Sequence, residues 1–130
     1  MTNIVKRTTL IVRDADRSLA FYRDVLGLTV WYDEEIVLGG VTLPVGARGD
    51  RTRLVIMRAD DPVIGMIGVL QFTAPPWPAP ESERTTLGIG DVVFVVQTDD
   101  VEAVHARLKE WGARVQAPPH AFEVRGAAGA

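Results

Sequence analysis

The stretch from Thr8 to Val30, TTLIVRDADRSLAFYRDVLGLTV, constrains the fold more than any other segment. It begins within a run, residues 5–12, that predicts a strand with Leu10 and Val12 on one face. The residues expected on the opposite face are Arg7, Thr9 and Ile11. A strand of this kind packs one face on a core and leaves the other free, so the free face is the first place to look for a site.

An amphipathic helix and a second strand are predicted to follow. Asp14 or Asp16 can cap the helix, because a short carboxylate accepts the free N–H groups of the first turn. Gly27 stands where a left-handed residue ends a helix, and a strand begins at Leu28. The apolar residues at helical spacing are Leu19, Tyr22, Val25 and Leu26.

A weaker copy of this pattern occurs in the second half of the chain. It comprises a predicted strand at 91–97, a capping-box-like start at Asp99, a helix that ends at Gly112, and a short strand at 113–116. Between the copies, residues 51–57 and 67–73 are predicted strands, and a Pro-rich segment follows them. Because the two copies keep register through strand, cap, helix and stop, we interpret them as a duplication.

Composition limits the functions open to the chain. With 130 residues and 47% hydrophobic residues, it can bury a core. A net charge of −3 with interspersed signs argues against a nucleic-acid surface, and the lack of cysteine excludes disulfides, thiolate metal sites and cysteine nucleophiles. The sequence has neither an apolar leader nor an apolar run of membrane-spanning length, so we expect a cytoplasmic protein that binds no membrane.

Two segments carry a family resemblance. VRDADRSLAFYRDVLGL and VVFVVQTDDVEAVHARLKEWGARV resemble the two modules of the vicinal oxygen chelate superfamily, which includes glyoxalases, bleomycin resistance proteins and extradiol dioxygenases. The resemblance covers most of residues 3–119 and implies an α+β fold, in which two βαβββ modules curl their mixed sheets into a cup. We therefore expect a single domain over 1–130, with a first module at 3–73, a Pro-rich linker at 74–90 and a partial second module at 91–130.

The second module is the shorter one. Members of the family carry there a strand, a DPDG-like turn and a final strand, and no such motif occurs in this sequence. Either the chain is shortened, or a partner chain supplies the closing strands, or the second sheet is incomplete. Because an unpaired sheet edge invites pairing with another chain, we expect a homodimer.

The resemblance also implies a divalent metal in the cup. Its first three ligand positions fall on Arg7, Gln71 and Asp91, and the fourth would lie beyond Ala130. Arginine has no lone pair to offer, and two oxygen donors are too few for a hard cation. We therefore expect no cofactor, and Gln71 and Asp91 are the weak candidates if a divalent metal does bind.

The positions that should face the cup form a mostly apolar wall with a few polar groups. Such a wall suits an organic ligand with one or two polar substituents. Trp31 and Trp77 could stack on a flat ligand at the rim, and Arg7 could form an ion pair with Asp91 in place of the metal. The expected ligand-binding residues are Arg7, Thr9, Trp31, Gln71, Trp77, Asp91 and Val93.

Three functions remain open from the sequence. The first is a binder of a small apolar or aromatic molecule that uses no metal. The second is a lyase, isomerase or dioxygenase of the same superfamily that depends on a divalent metal or on an acid–base pair. In the acid–base form, Asp91 is the candidate catalytic base and Arg7 stabilises an enolate by its charge. The third is a structural or interaction module.

Overall fold

The computed structural model describes residues 2–123. The chain divides into two compact units, one on each side of the Asp91–Val92 bond. The first unit holds one sheet with its helix, and the second holds a single helix among the described residues.

The first unit contains the whole of the predicted βαβββ module. Its four strands are β1 (Arg7–Ile11), β2 (Thr29–Val37), β3 (Arg51–Arg58) and β4 (Met66–Ala74). Helix α1 (Ala15–Ala20) follows β1 and continues as a π-helical segment, Phe21–Val25. The strands form one mixed sheet in the order β1-β4-β3-β2, in which β1 is parallel to β4 and the other neighbours are antiparallel.

Side chains alternate along these strands and give the sheet two different faces. On the helix face, Val55, Met57 and Val69 are fully buried against Ala15 and Leu19 of α1. The other face, which we call the open face, carries Arg7, Thr9 and Ile11 of β1. In the strand register, Thr9 pairs with Gly68 and Ile11 with Leu70 of β4, so these β4 residues lie on the open face as well.

Local chemistry sets the ends of the first helix. Asp14 is its N-cap, and one carboxylate oxygen accepts a hydrogen bond from the Arg17 N–H at 3.2 Å. Gly27, just after the π-helical segment, has a φ of 77°, which L side chains rarely adopt. Both positions confirm the sequence prediction. They could be predicted because a helix cap and a helix-ending glycine depend on neighbouring residues alone.

The second unit differs from its prediction in two respects. Helix α2 (Val101–Trp111) forms and ends at the left-handed Gly112 as expected, but its N-cap is Asp100 and not Asp99. The strands predicted at 91–97 and 113–116 are wrong for this structure, since neither segment is in a strand among the described residues. β-branched residues favour a strand only where a neighbouring strand is there to pack and bond with them.

The loop at 38–50 covers one end of the open face. Gly46 in this loop has a φ of 77°, and a Cβ at this position would lie 2.7 Å from the Phe72 ring and 2.8 Å from the Leu38 Cδ1. Replacing Gly46 with alanine is expected to destabilise the chain by about 2–4 kcal/mol, from left-handed strain and overpacking together.

The measurement is the free energy of unfolding in urea, and the matched control is Gly39→Ala in the same loop. A Cβ at Gly39 would meet no heavy atom within 4 Å, and this glycine has no positive φ. Equal stability of the two variants would contradict the packing of the loop on Phe72.

Candidate functional site

Arg7 and Thr9 lie together at one end of the open face. Arg7 Nε donates a hydrogen bond to Thr9 Oγ1 at 3.1 Å, and both residues are exposed. In the part of the chain that the structure describes, no carboxylate forms an ion pair with Arg7. Four of the five guanidinium N–H groups are therefore left for solvent or for a ligand.

Gly68 of β4 makes room for these two side chains. A Cβ at Gly68 would lie 2.9 Å from Thr9 Oγ1 and 3.3 Å from Arg7 Cδ. The stem of Arg7 therefore crosses the bare backbone of β4 and holds its guanidinium over the open face. A glycine inside a strand often marks such a close approach, and this was the signal available in the sequence.

Apolar residues extend along β4 from this polar end. Leu70 and Phe72 follow Gly68 on the same face and are almost fully buried, while Ile11 beside them on β1 is 45% exposed. At a strand rise of about 3.3 Å per residue, the floor from Gly68 to Phe72 is roughly 13 Å long. Because these β4 residues are already covered, the apolar surface exposed along this length is that of Ile11 and of the outer part of Trp77, and a bicyclic aromatic molecule with one polar substituent matches the length.

Trp77 closes the far end of this floor. Its ring stacks on the Phe72 ring with centroids 4.0 Å apart and planes at 11°, and 42% of the residue remains exposed. One face of the indole is thus occupied by the protein's own aromatic ring. Contact of Trp77 with a ligand stays a prediction, and only the outer face or the edge of its ring is free for it.

Gln71 does not lie on the open face, which corrects its predicted position beside Arg7. Its Oε1 accepts a hydrogen bond from the Ala15 N–H at 2.9 Å, at the start of α1 on the helix face. The prediction failed because adjacent residues of a strand point to opposite faces, so an alignment displaced by one residue inverts the side. Gln71 joins β4 to α1 by this bond.

Asp91 does not pair with Arg7, which corrects the predicted ion pair. Arg84 binds both of its carboxylate oxygens, at 2.7 and 3.0 Å, and the Gly88 N–H donates to one of them at 2.7 Å. The Gly88 hydrogen bond, followed by that of Arg84, lowers the pKa of Asp91 below its usual range. A carboxylate held in its ionised form in this way is a weak base, which argues against a catalytic proton transfer to Asp91.

The lowered pKa of Asp91 has a measurable consequence. Because the pKa is depressed by folding, the stabilisation from this carboxylate is present above its unfolded pKa and is lost as pH falls through its folded pKa. In a carboxyl ¹³C NMR titration, Asp91 is expected to titrate below about 3.9, the ordinary aspartate value. Arg84→Ala is expected to raise this midpoint, and a wild-type midpoint above the ordinary value would instead favour a base.

The two remaining predicted residues, Trp31 and Val93, belong to other elements of the chain. Trp31 lies at a bulge between Val30 and Tyr32 on β2, 51% exposed, with its ring centroid 6.3 Å from that of Tyr32. Val93 is exposed and belongs to the second unit. The structure thus brings Arg7 and Thr9 together, and it leaves roles in ligand binding for Trp31 and Val93 as predictions.

Comparisons with known proteins agree with this architecture. The family model described as Glyoxalase/Bleomycin resistance protein/Dioxygenase superfamily matches residues 4–128. The chain belongs to this superfamily. A solved glyoxalase family protein from Bacillus cereus has the same fold, with a TM-score of 0.72 and 18% sequence identity over 95% of this chain and 81% of that chain. A comparison with curated proteins gave no match.

The metal that the superfamily fold implies does not fit the residues at the expected positions. Arg7 has no lone pair, Gln71 uses its oxygen on the helix face, and both oxygens of Asp91 are bound by Arg84. Within residues 2–123, no group of three or more His, Asp or Glu side chains is arranged to hold a metal ion. We therefore propose no metal-dependent reaction for this superfamily member.

An ion-pair cluster on β3 was missed by the sequence analysis. Arg53 binds Asp33 of β2 through two nitrogens, at 2.8 and 3.0 Å, and Asp16 of α1 at 2.6 Å. The Arg53 hydrogen bond lowers the pKa of the Asp33 carboxyl. Since these partners are 20 and 37 residues from Arg53 in sequence, nothing local predicts the cluster, which ties three elements of the module together.

No helix in the described range is long and apolar enough to cross a membrane.

Proposed function

We propose that this superfamily member binds a small, largely apolar or aromatic molecule on the open face of its first module, without a metal. Arg7 donates hydrogen bonds to an oxygen of the ligand, and the exposed apolar surface of Ile11 and Trp77, beside the buried β4 residues, receives the ligand's hydrocarbon part. The observation that carries the proposal is the exposed Arg7 guanidinium, fixed by Thr9 above Gly68 and lacking a carboxylate partner among the described residues.

The charge of Arg7 favours an anionic oxygen over a neutral one. A guanidinium presents a planar fork of N–H donors that matches the two oxygens of a carboxylate. Hydrogen bonds to charged groups contribute about 1.5–3 kcal/mol, which is roughly a 10- to 100-fold difference in affinity. An aromatic carboxylate is therefore the class of ligand that this site should prefer over its neutral analogue.

The exposed apolar surface on either side of the buried β4 residues supplies the other part of the expected affinity. Ile11 is half-exposed at the edge of β1, and the exposed part of Trp77 lies beyond Phe72. Covering such surface contributes about 25 cal/mol per Å² of apolar area removed from water. A flat ring system gains from both groups, whereas a small carboxylate such as acetate reaches only the arginine.

Isothermal titration with matched probes tests this function. 2-Naphthoate and 2-naphthalenemethanol share one ring system and differ in the charge of the substituent, and acetate tests the charge alone. The expected result is that 2-naphthoate binds at least about tenfold more tightly than either of the other two. Equal affinity for the naphthoate and the alcohol would contradict the role of Arg7, and binding of none of the probes would contradict the site.

A further inference from the structure

The four arginines of the sheet divide into two pairs. Arg51 and Arg53 of β3 each bind carboxylates of other elements, at 2.6 to 2.9 Å. Arg7 of β1 and Arg58, the last residue of β3, form no ion pair with a carboxylate in the described part of the chain. Within that part, two guanidinium groups of one sheet therefore lack a counter-charge.

The strand register places Arg7 and Arg58 in one row across the open face. Arg7 pairs with Met66 of β4, and Ile56 of β3 pairs with Gly68, so the register continued by two residues sets Arg58 opposite Met66. Because residues two apart on a strand share a face, Arg58 lies on the open face with Ile56. Two strand spacings separate the Cα atoms of the two arginines by about 10 Å. Both long side chains can therefore reach a group that is bound between them.

No acidic residue occupies this row or the next one among the described strands. Met66, between the two arginines, is almost fully buried, and Thr29 of β2 lies on the other side of Arg58. The next row toward Phe72 consists of Thr9, Gly68, Ile56 and Tyr32. Two positive charges in such surroundings repel each other, and an anion bound between them relieves the repulsion.

The acidic residues that follow Arg58 in sequence do not neutralise it. Asp61 Oδ1 accepts hydrogen bonds from the Val63 and Ile64 N–H groups, at 2.8 and 3.0 Å, within its own turn. Asp60 is exposed and forms no ion pair with Arg58 in the described range. Arg58 itself is half-buried. Because a charge that is partly removed from water is costly without a partner, this arginine is better explained by a ligand than by the fold.

We propose that Arg7 and Arg58 together bind a doubly charged phosphate group of an aromatic ligand at this end of the open face. The inference rests on the proposed function, in which Arg7 holds an anionic oxygen, and it adds a second arginine and a second ligand charge. A guanidinium binds phosphate oxygens through parallel N–H···O bonds. Two guanidinium groups supply enough donors for all three terminal oxygens of a phosphate monoester.

Isothermal titration of the full chain with two matched esters tests this proposal. 2-Naphthyl phosphate and 2-naphthyl sulfate share one ring system and a tetrahedral head group. At about pH 8 the phosphate carries two negative charges, since its second pKa is about 6, whereas the sulfate carries one. The expected result is that the wild type binds the phosphate at least about tenfold more tightly than the sulfate.

Replacing Arg58 with methionine is expected to bring the ratio of the two affinities close to one. Methionine keeps an apolar stem at this half-buried position, and urea unfolding checks that the variant is folded. Arg58→Lys keeps the charge but not the planar fork of donors, so it should retain part of the preference for the phosphate. Arg23→Met, which removes a charge on the other side of the sheet, is the matched control and should keep the wild-type ratio.

The same titrations separate this inference from the proposed function. If 2-naphthoate binds and depends on Arg7, but the phosphate binds no more tightly than the sulfate, the role of Arg58 is overturned and the function of the open face stands. A preference for the phosphate that survives Arg58→Met also overturns the inference. A preference lost in Arg58→Met and kept in Arg23→Met supports it.

Discussion

Replacing Arg7 with methionine is expected to lower the affinity for 2-naphthoate by about 10- to 100-fold, because the ligand carboxylate loses a charge-assisted hydrogen bond. Methionine keeps an apolar stem of similar length over Gly68, so the β4 backbone stays covered and the neighbouring apolar surface is unchanged. Affinity for the neutral 2-naphthalenemethanol is therefore expected to stay nearly unchanged. The measurement is isothermal titration of both probes with wild type and variant.

A second arginine serves as the control for this substitution. Arg23 lies on the π-helical segment after α1, on the other side of the sheet, and pairs with its neighbour Asp24. Arg23→Met removes the same charge from the protein and is expected to leave both affinities unchanged. If the two variants lose naphthoate affinity equally, the effect comes from overall charge and not from the open face.

Replacing Gln71 with leucine is expected to destabilise the first unit by about 1–3 kcal/mol, the usual cost of leaving a buried donor unsatisfied. Ala15 is fully buried, and its N–H donates to Gln71 Oε1 in the wild type. Leucine has a similar volume but offers no acceptor, so the start of α1 loses its bond to β4. Urea unfolding measures the change in the free energy of unfolding.

Gln71→Glu is the matched comparison for this variant, because it keeps an acceptor oxygen at the same position. Glutamate retains an acceptor oxygen for the Ala15 N–H, and Arg53 is the cross-strand neighbour of this position on β3. We expect most of the stability to be kept. We also expect no stoichiometric binding of Mn²⁺ or Zn²⁺ by Gln71→Glu in titration calorimetry, although glutamate is the ligand type that the superfamily resemblance implies here. A gain of tight metal binding would show that this side chain reaches the cup after all.

The elements of the first module could be predicted because their signals are local. Alternation placed Arg7, Thr9 and Ile11 on one face, and the structure shows these three exposed on β1. Asp14 was one of two cap candidates, and Gly27 followed from helix-end chemistry; both depend on residues within one turn. Such features are determined by short-range interactions, so one sequence is enough to find them.

The failures share a different origin, since each depends on a partner distant in sequence or in space. Gln71 was assigned by alignment to the wrong face, and its bond to Ala15 spans 56 residues. Asp91 was paired with Arg7 on the basis of equivalent strand positions, whereas Arg84 in the Pro-rich linker binds it. Residues 91–97 are predicted as a strand from their alternating apolar side chains, and alternation does not supply the neighbouring strand that a strand requires.

The central claim is that a ligand with an anionic oxygen binds at the open face beside Arg7. The most direct test is an NMR titration of the isotopically labelled full chain with 2-naphthoate. We expect the largest shifts at the Arg7 side chain, the backbone amides of Thr9 and Gly68, and the methyl groups of Ile11. Saturation of these shifts should follow one binding curve and should be lost in Arg7→Met. Shifts centred on Asp33, Glu35 and Arg53, with none at Thr9 or Gly68, would contradict it.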